Sequence, residues 1–226
     1  MIIPGILEHT WAEIKKKIDI VHNKNLGLPN HAKASRMQID FCDGKYVESK
    51  TWSPIVANIE NKTLLDDIVE NGLPYWQEFE YEADLMVVDL KSYIDIVVEM
   101  GFSHVILHSE NLTELIEAAA YAKDKMLTVA ISSRYIDVIV LFLENEIYND
   151  IDYIQIMGID KIGIQGQPFS ESVTSKISKI SKIIKDKKLN IYVQVDGAMS
   201  ADTIDICRQA GAQSFVMGSA YFKIKI

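Results

Sequence analysis

The stretch Met37-Gln38-Ile39-Asp40-Phe41-Cys42-Asp43-Gly44-Lys45-Tyr46 alternates polar and apolar residues and then breaks at an Asp-Gly pair. With a side-chain period of two, Gln38 and Asp40 share one face of a strand and Ile39 and Phe41 share the other. An apolar face that packs under helices, backed by a polar face that needs partners, suits a barrel strand whose polar side points into the mouth. Asp43-Gly44 then reads as a turn in which Asp43 caps backbone N–H groups and Gly44 takes positive φ. Asp40 is assigned to chemistry and Asp43 to structure.

Outward from this strand, short apolar runs alternate with longer helical patterns, the signature of repeated β/α units. Strands are predicted at Ile2–Ile6, Arg36–Phe41, Glu80–Val88, His104–Leu107, Leu127–Ile131, Tyr153–Met157, Ile191–Val195 and Ser214–Met217. Between them, Trp11, Ile14, Ile18 and Val21 form one helical face, and Leu64, Leu65, Ile68 and Val69 a second behind a cap at Thr63. Tyr93, Ile96, Val97 and Met100 form a third, closed by Gly101, and Leu112, Leu115, Ile116 and Ala119 a fourth. Tyr135–Leu143 is apolar enough for helix or strand, and its place between two strands favours helix. Ser170–Lys187 and Asp202–Ala210, the latter closed by Gly211, complete the set. The fold class is a TIM (β/α)8 barrel, expected as a single domain over residues 1–226 with a short or missing final helix.

Composition bounds the function. A chain of 226 residues with 48% hydrophobic content builds one sizeable core. A formal net charge of −9 disfavours nucleic-acid and anionic-membrane surfaces as partners, yet leaves room for a small anion held by backbone N–H groups. The cysteines, Cys42 and Cys207, have neither the number nor the spacing of a disulfide framework or a structural zinc knot. No export signal or membrane-length apolar run is found, so a cytoplasmic location is expected. Lys45–Glu80 is long enough to include an active-site lid or a partner contact besides its helix. Gly218–Ile226 is too short for a full outer helix, and a homo-oligomer is expected to cover the face this leaves.

Asp84 interrupts the third apolar run and Asp196 ends the seventh, so three aspartates stand toward the carboxyl ends of three strands, where a barrel gathers distant residues around one cavity. Such a group serves a general acid/base pair or an oxygen-rich metal site equally well. His108 and Glu110 lie at the exit of the fourth strand, with loop bonding as good an account of them as catalysis. Glycine-bearing junctions follow the last three strands: Gly163-Ile164-Gln165-Gly166-Gln167, Asp196-Gly197-Ala198 and Gly218-Ser219-Ala220. Each alone marks a turn, but together in this position they describe a phosphate cup. Neither GxxxxGK[ST] nor a GxGxxG opening a first helix is present.

These motifs resemble the ribulose-phosphate 3-epimerase family, and the likeness spans nearly the whole chain. It rests on Ile3-Pro4-Gly5-Ile6-Leu7, Gln38 to Val47, Ala83-Asp84-Leu85-Met86-Val87, Gly166-Gln167-Pro168-Phe169, Val195-Asp196-Gly197-Ala198 and Gly218-Ser219-Ala220-Tyr221-Phe222, in the family order. The resemblance implies a ribulose-phosphate-binding barrel, a phosphorylated sugar as partner, and Asp40 and Asp196 as the carboxylates that shuttle the C3 proton. It also implies substrate contacts from Gln38, Asp84, Gly166, Gln167, Gly197, Ala198, Gly218 and Ser219. The family's divalent-metal ligands map onto Gln38, Asp40, Asp84 and Asp196, with both histidines of the family replaced. Three carboxylates and an amide suit Mg²⁺ or Mn²⁺ better than zinc, or no metal at all. Gly5 stands for a family serine, Cys42 for a methionine and Ser133 for a proline. The leading expectation is interconversion of ribulose 5-phosphate and xylulose 5-phosphate or a related ketose phosphate. The alternatives are another sugar-phosphate isomerase or lyase, or a non-catalytic binder of phosphorylated metabolites.

Overall fold

The computed structural model describes residues 1–55, 59–145 and 148–224. Eight parallel strands close into a barrel in sequence order, the last pairing with the first. They are β1 (Ile2–Ile6), β2 (Arg36–Cys42), β3 (Glu80–Met86), β4 (His104–His108), β5 (Thr128–Ser132), β6 (Tyr153–Met157), β7 (Tyr192–Asp196) and β8 (Ser214–Met217). The helices that follow them are α1 (Trp11–Leu26), α2 (Ile59–Asn71), α3 (Leu90–Glu99), α4 (Leu112–Asp124), α5 (Ile136–Glu144), α6 (Val173–Lys187), α7 (Ala201–Ala210) and α8 (Ser219–Lys223). The last is five residues long, the short final helix expected from so little remaining chain. No helix among the described residues is long and apolar enough to cross a membrane.

Local chemistry sets the element ends. Thr10 caps α1 in a reciprocal box with Glu13, and Ser200 does the same for α7 with Thr203. Gly211 ends α7 at φ 119°, a conformation open to glycine and costly for other residues. Ile14, Ile18 and Val21 turn one stripe of α1 inward, joined by Asn25, whose amide bonds both backbone groups of Ala34 and so fixes the approach to β2. Several bounds shift. The second helix begins at Ile59, so Thr63 lies within it rather than at its cap, the helix expected from Ser170 begins at Val173, and the third strand ends at Met86, not Val88, with smaller shifts of one residue at other strands. Of the Lys45–Glu80 and Gly218–Ile226 segments, residues 56–58 and 225–226 fall outside the described residues.

The strands face two environments. Outward side chains such as Ile39, Phe41, Ala83, Leu85, Val193 and Val195 pack with the helices in the main apolar core. Inward side chains on β2, β3, β6 and β7 are mostly polar, while Ile106, Ala130 and Tyr153, with Tyr192 against them, form a small apolar cluster inside. Buried polar groups of this kind cost free energy unless hydrogen-bonded, and many of them here bond one another across the lumen.

Candidate active site

The register of β2 on β3 sets Asp40 beside Asp84, and β7 brings Asp196 to the same end of the lumen. One carboxylate oxygen from each of the three lies within 4.8 Å of the others. Gln38 sits among them, its Nε2 donating to Asp40 Oδ1 at 2.8 Å, Asp196 Oδ2 at 3.1 Å and Asp84 Oδ2 at 3.4 Å. The four residues joined in the sequence by alternation and distant strand ends therefore form one cup. His108, on β4, meets Asp84 Oδ1 with Nε2 at 2.6 Å, the ring N–H donating to the carboxylate. His104 lies at the opposite end of the same strand, where burial first and then the Arg36 charge push its pKa down to about 3.

Burial beside other acids raises the proton affinity of Asp40 and Asp196. Asp40 is held well above the usual carboxylate range by burial, then by the charges of Asp196 and Asp84. Asp196 is pushed up to about 8 by burial, with the Asp84 charge next. Both carboxyls therefore hold their protons to higher pH than a free aspartate does, and the Asp196 charge is among the causes at Asp40.

A cleft of about 310 Å³ opens over this cup. Asp40 and Asp196 line it, while Gln38 and Asp84 lie behind them, fully buried. Its far wall is Gly166, Gln167, Gly197, Ala198, Gly218 and Ser219, so the three glycine-bearing junctions converge as the sequence suggested. Gly166 and Gly197 carry positive φ of 80° and 105°, and Ala198 follows at 55°. Gly5 also lines the cleft, and a Cβ there would come within 2.8 Å of Val216 Cγ1, which accounts for glycine in place of a larger residue. On the other flank, Cys42, Val47, Met86, Met157 and Ile162 form an apolar rim, with Tyr46 packed against it. Tyr46 donates to Glu110 at 2.8 Å and lies under the Arg134 guanidinium at 4.6 Å. The beginning of the long second loop thus closes over the His108 side of the cup.

The donors fit a hard divalent cation. Three carboxylates supply oxygen ligands, and Gln38 Oε1 is buried without a hydrogen-bond partner among the described residues, so an amide rotation would hand a fourth oxygen to an ion. Sequence reasoning passed over Gln155, Glu82 and Gly158 as site residues. Gln155 donates to Asp84 Oδ2 at 3.1 Å, and Gly158 N–H bonds the Asp196 carbonyl at 2.6 Å.

An eight-stranded barrel with buried aspartates and a glycine-walled cleft at the carboxyl ends of its strands has the layout of a barrel enzyme, whose active site lies at that end. The profile of the Ribulose-phosphate 3 epimerase family matches residues 2–222. The chain belongs to that family and is an isomerase-type enzyme. It is 25% identical over 224 residues to a ribulose-phosphate 3-epimerase of Schizosaccharomyces pombe, covering 98% of this chain and 86% of that protein. It is 24% identical over 223 residues to the enzyme of that name from Bacillus subtilis, covering 98% and 91%. Among solved structures, 3-keto-L-gulonate-6-phosphate decarboxylase from Vibrio cholerae superposes with a TM-score of 0.62 at 11% identity, over 97% of this chain and 88% of that one. Phosphoribosyl anthranilate isomerase from Thermotoga maritima gives 0.58 at 14%, over 99% and 91%. These two likenesses speak to the fold alone.

Proposed function

We propose that the protein interconverts ribulose 5-phosphate and xylulose 5-phosphate, or a closely related ketose phosphate, by proton transfer between Asp40 and Asp196. The observation that carries this reading is the opening of both acids onto one cleft whose opposite wall is built from Gly166, Gly197 and Gly218. The ionised member of the pair removes the proton from the carbon beside the ketone, and the protonated member returns one to the other face. Gln38, with its N–H groups aimed into the cup, stabilises the oxygen that becomes negative between the two steps. Backbone N–H groups around Gly166, Gly197, Gly218 and Ser219 hold the phosphate end and limit the motion of the reacting carbon. The Cys42, Met86 and Met157 rim limits the access of water to the two acids.

Gln38, Asp40, Asp84 and Asp196 are the residues that would hold a divalent metal, with Mg²⁺ or Mn²⁺ favoured over zinc by an all-oxygen set. Such an ion would supply positive charge for the developing oxyanion. Replacement of both family histidines favours, as a second reading, a protein that binds phosphorylated metabolites without turning them over.

The test incubates metal-depleted protein with ribulose 5-phosphate in deuterated water, then restores Mg²⁺ or Mn²⁺. Deuterium should enter at C3 with interconversion, and Asp40→Asn or Asp196→Asn should slow it by about 10²- to 10⁴-fold. Binding without label exchange under every condition would leave the second reading in possession.

A further inference from the structure

Beneath the acid cup the lumen holds charged and amide groups that proton transfer does not use. Glu82, fully buried, accepts from Tyr153 Oη at 2.6 Å and from Arg36 Nη1 at 3.3 Å, both on Oε2. Its Oε1 accepts from Gln194 Nε2 at 2.8 Å. The same Gln194 nitrogen donates to Gln155 Oε1 at 2.9 Å, and Gln155 Nε2 donates to Asp84 Oδ2 at 3.1 Å. All three residues of this chain are shut off from solvent.

The direction of each bond follows from the one before it. A carboxylate paired with an arginine only accepts, so Gln194 must turn its NH₂ toward Glu82. The second proton of that NH₂ claims the Gln155 oxygen, which leaves Gln155 only its NH₂ to offer Asp84. Were Gln155 reversed, an amide oxygen would face Asp84 Oδ2 across a dry contact, which is repulsive.

We infer that Glu82 is a positioning residue for the acid cup, acting on Asp84 through an oriented relay of Gln194 and Gln155. This rests on the epimerase reading of the cup and adds to it the device that holds the cup in order. Asp84 is thereby clamped between His108 on Oδ1 and Gln155 on Oδ2, and Gln38, which also reaches Oδ2, is kept between Asp40 and Asp196. None of the relay residues lines the cleft, so the relay acts on the chemical step and leaves the phosphate wall untouched.

The experiment compares Gln194→Met, Gln155→Leu and the double variant, each checked for folding by its thermal unfolding midpoint. Gln194→Met cuts the relay without touching Asp84 and leaves Glu82 with Arg36 and Tyr153. Each single variant should lower kcat about tenfold, the loss of one charge-assisted hydrogen bond, with KM within about twofold. The double variant should be no worse than either single one, because the link is already broken. Losses that multiply to about a hundredfold, losses carried by KM, or full activity in Gln194→Met would overturn the relay. Gln194→Leu, which also lacks both donor and acceptor, is the further variant should Gln194→Met not fold, with the same outcomes expected.

A second readout needs no turnover: the His108 ring N–H proton resonance. It lies three hydrogen bonds from Gln194, through Gln155 and Asp84, and should shift in Gln194→Met. An unmoved resonance overturns the relay whatever the substrate. A moved resonance in a protein whose wild type shows no epimerisation keeps the relay and removes the proposed reaction.

Discussion

Asp40 and Asp43 stand three residues apart and do opposite work. Asp40 is driven toward its neutral form inside the cup, whereas Asp43 sits at the turn and accepts from the backbone N–H groups of Lys45, Tyr46 and Val88. Partial burial would raise the Asp43 carboxyl, but the bonds from Val88, Tyr46 and Lys45 outweigh it and hold its pKa below the usual range. A depressed folded value means stability that is present above the unfolded pKa of about 3.9 and lost as pH falls through the lower folded one. Asp43→Ala should therefore cost about 2 kcal/mol near pH 7, lowering Tm by about 4–8 °C, with the gap from wild type closing below about pH 4. Thermal unfolding of the two proteins across that range measures it, and a gap that persists in acid would deny the turn its charged cap. The different surroundings of the two aspartates were legible because alternation stops between them. Gln155 and Glu82 were not, since each sits inside a strand that passes for core. Their signal is the same period of two, for Arg36-Gln38-Asp40, Glu80-Glu82-Asp84 and Tyr192-Gln194-Asp196 set polar groups at matching steps on three strands.

At the scale of the element, strands were read closely because a run of β-branched residues between turn residues has few other uses. Helix entry was less legible. Thr63 precedes an apolar stripe as a cap would, yet α2 begins at Ile59, since a threonine inside a helix costs only a fraction of a kcal/mol. The Tyr135–Leu143 run was settled by its neighbours: nine residues form α5, burying Ile139, Phe142 and Leu143. What no periodicity announces is where two elements touch backbone to backbone. Gly158, just past β6, donates to the Asp196 carbonyl, and a Cβ on it would strike the Gly197 carbonyl oxygen. Gly158→Ala must push the exit of β6 away from that of β7, which carries both the acid and one glycine of the cleft wall. Overpacking of this kind costs about 1–3 kcal/mol, so Tm should fall by about 2–12 °C, and kcat/KM should drop by more than about tenfold. An active Gly158→Ala with only a lowered Tm would show that the spacing of these two strand ends does not govern the site.

At the scale of the molecule, the barrel gathers Asp40, Asp84 and Asp196 at one end of its lumen. Eight strands were countable in the sequence, and closure followed from their number and order. The period-two polar series on β2, β3 and β7 marks one polar face per strand, but which groups meet across the lumen was visible only once the barrel closed. The cup gives the molecule a pH dependence opposite in sign to that of Asp43. The raised values of Asp40 and Asp196 mean that the folded chain keeps protons which the unfolded chain releases from about pH 4 upward. The cup's contribution to stability therefore falls as pH rises from about 4 to about 8. In metal-depleted protein, Asp196→Asn should leave Tm near that of wild type at pH 4 and raise it by several degrees, on the order of 5 °C, at pH 8. A divalent cation needs the ionised carboxylates, so Mn²⁺ should raise the wild-type Tm more at pH 8 than at pH 5 and do less for Asp196→Asn. Parallel Tm curves for the two proteins would mean that Asp196 ionises freely in the fold. The raised proton affinity on which the proposed exchange between Asp40 and Asp196 depends would then have no physical basis.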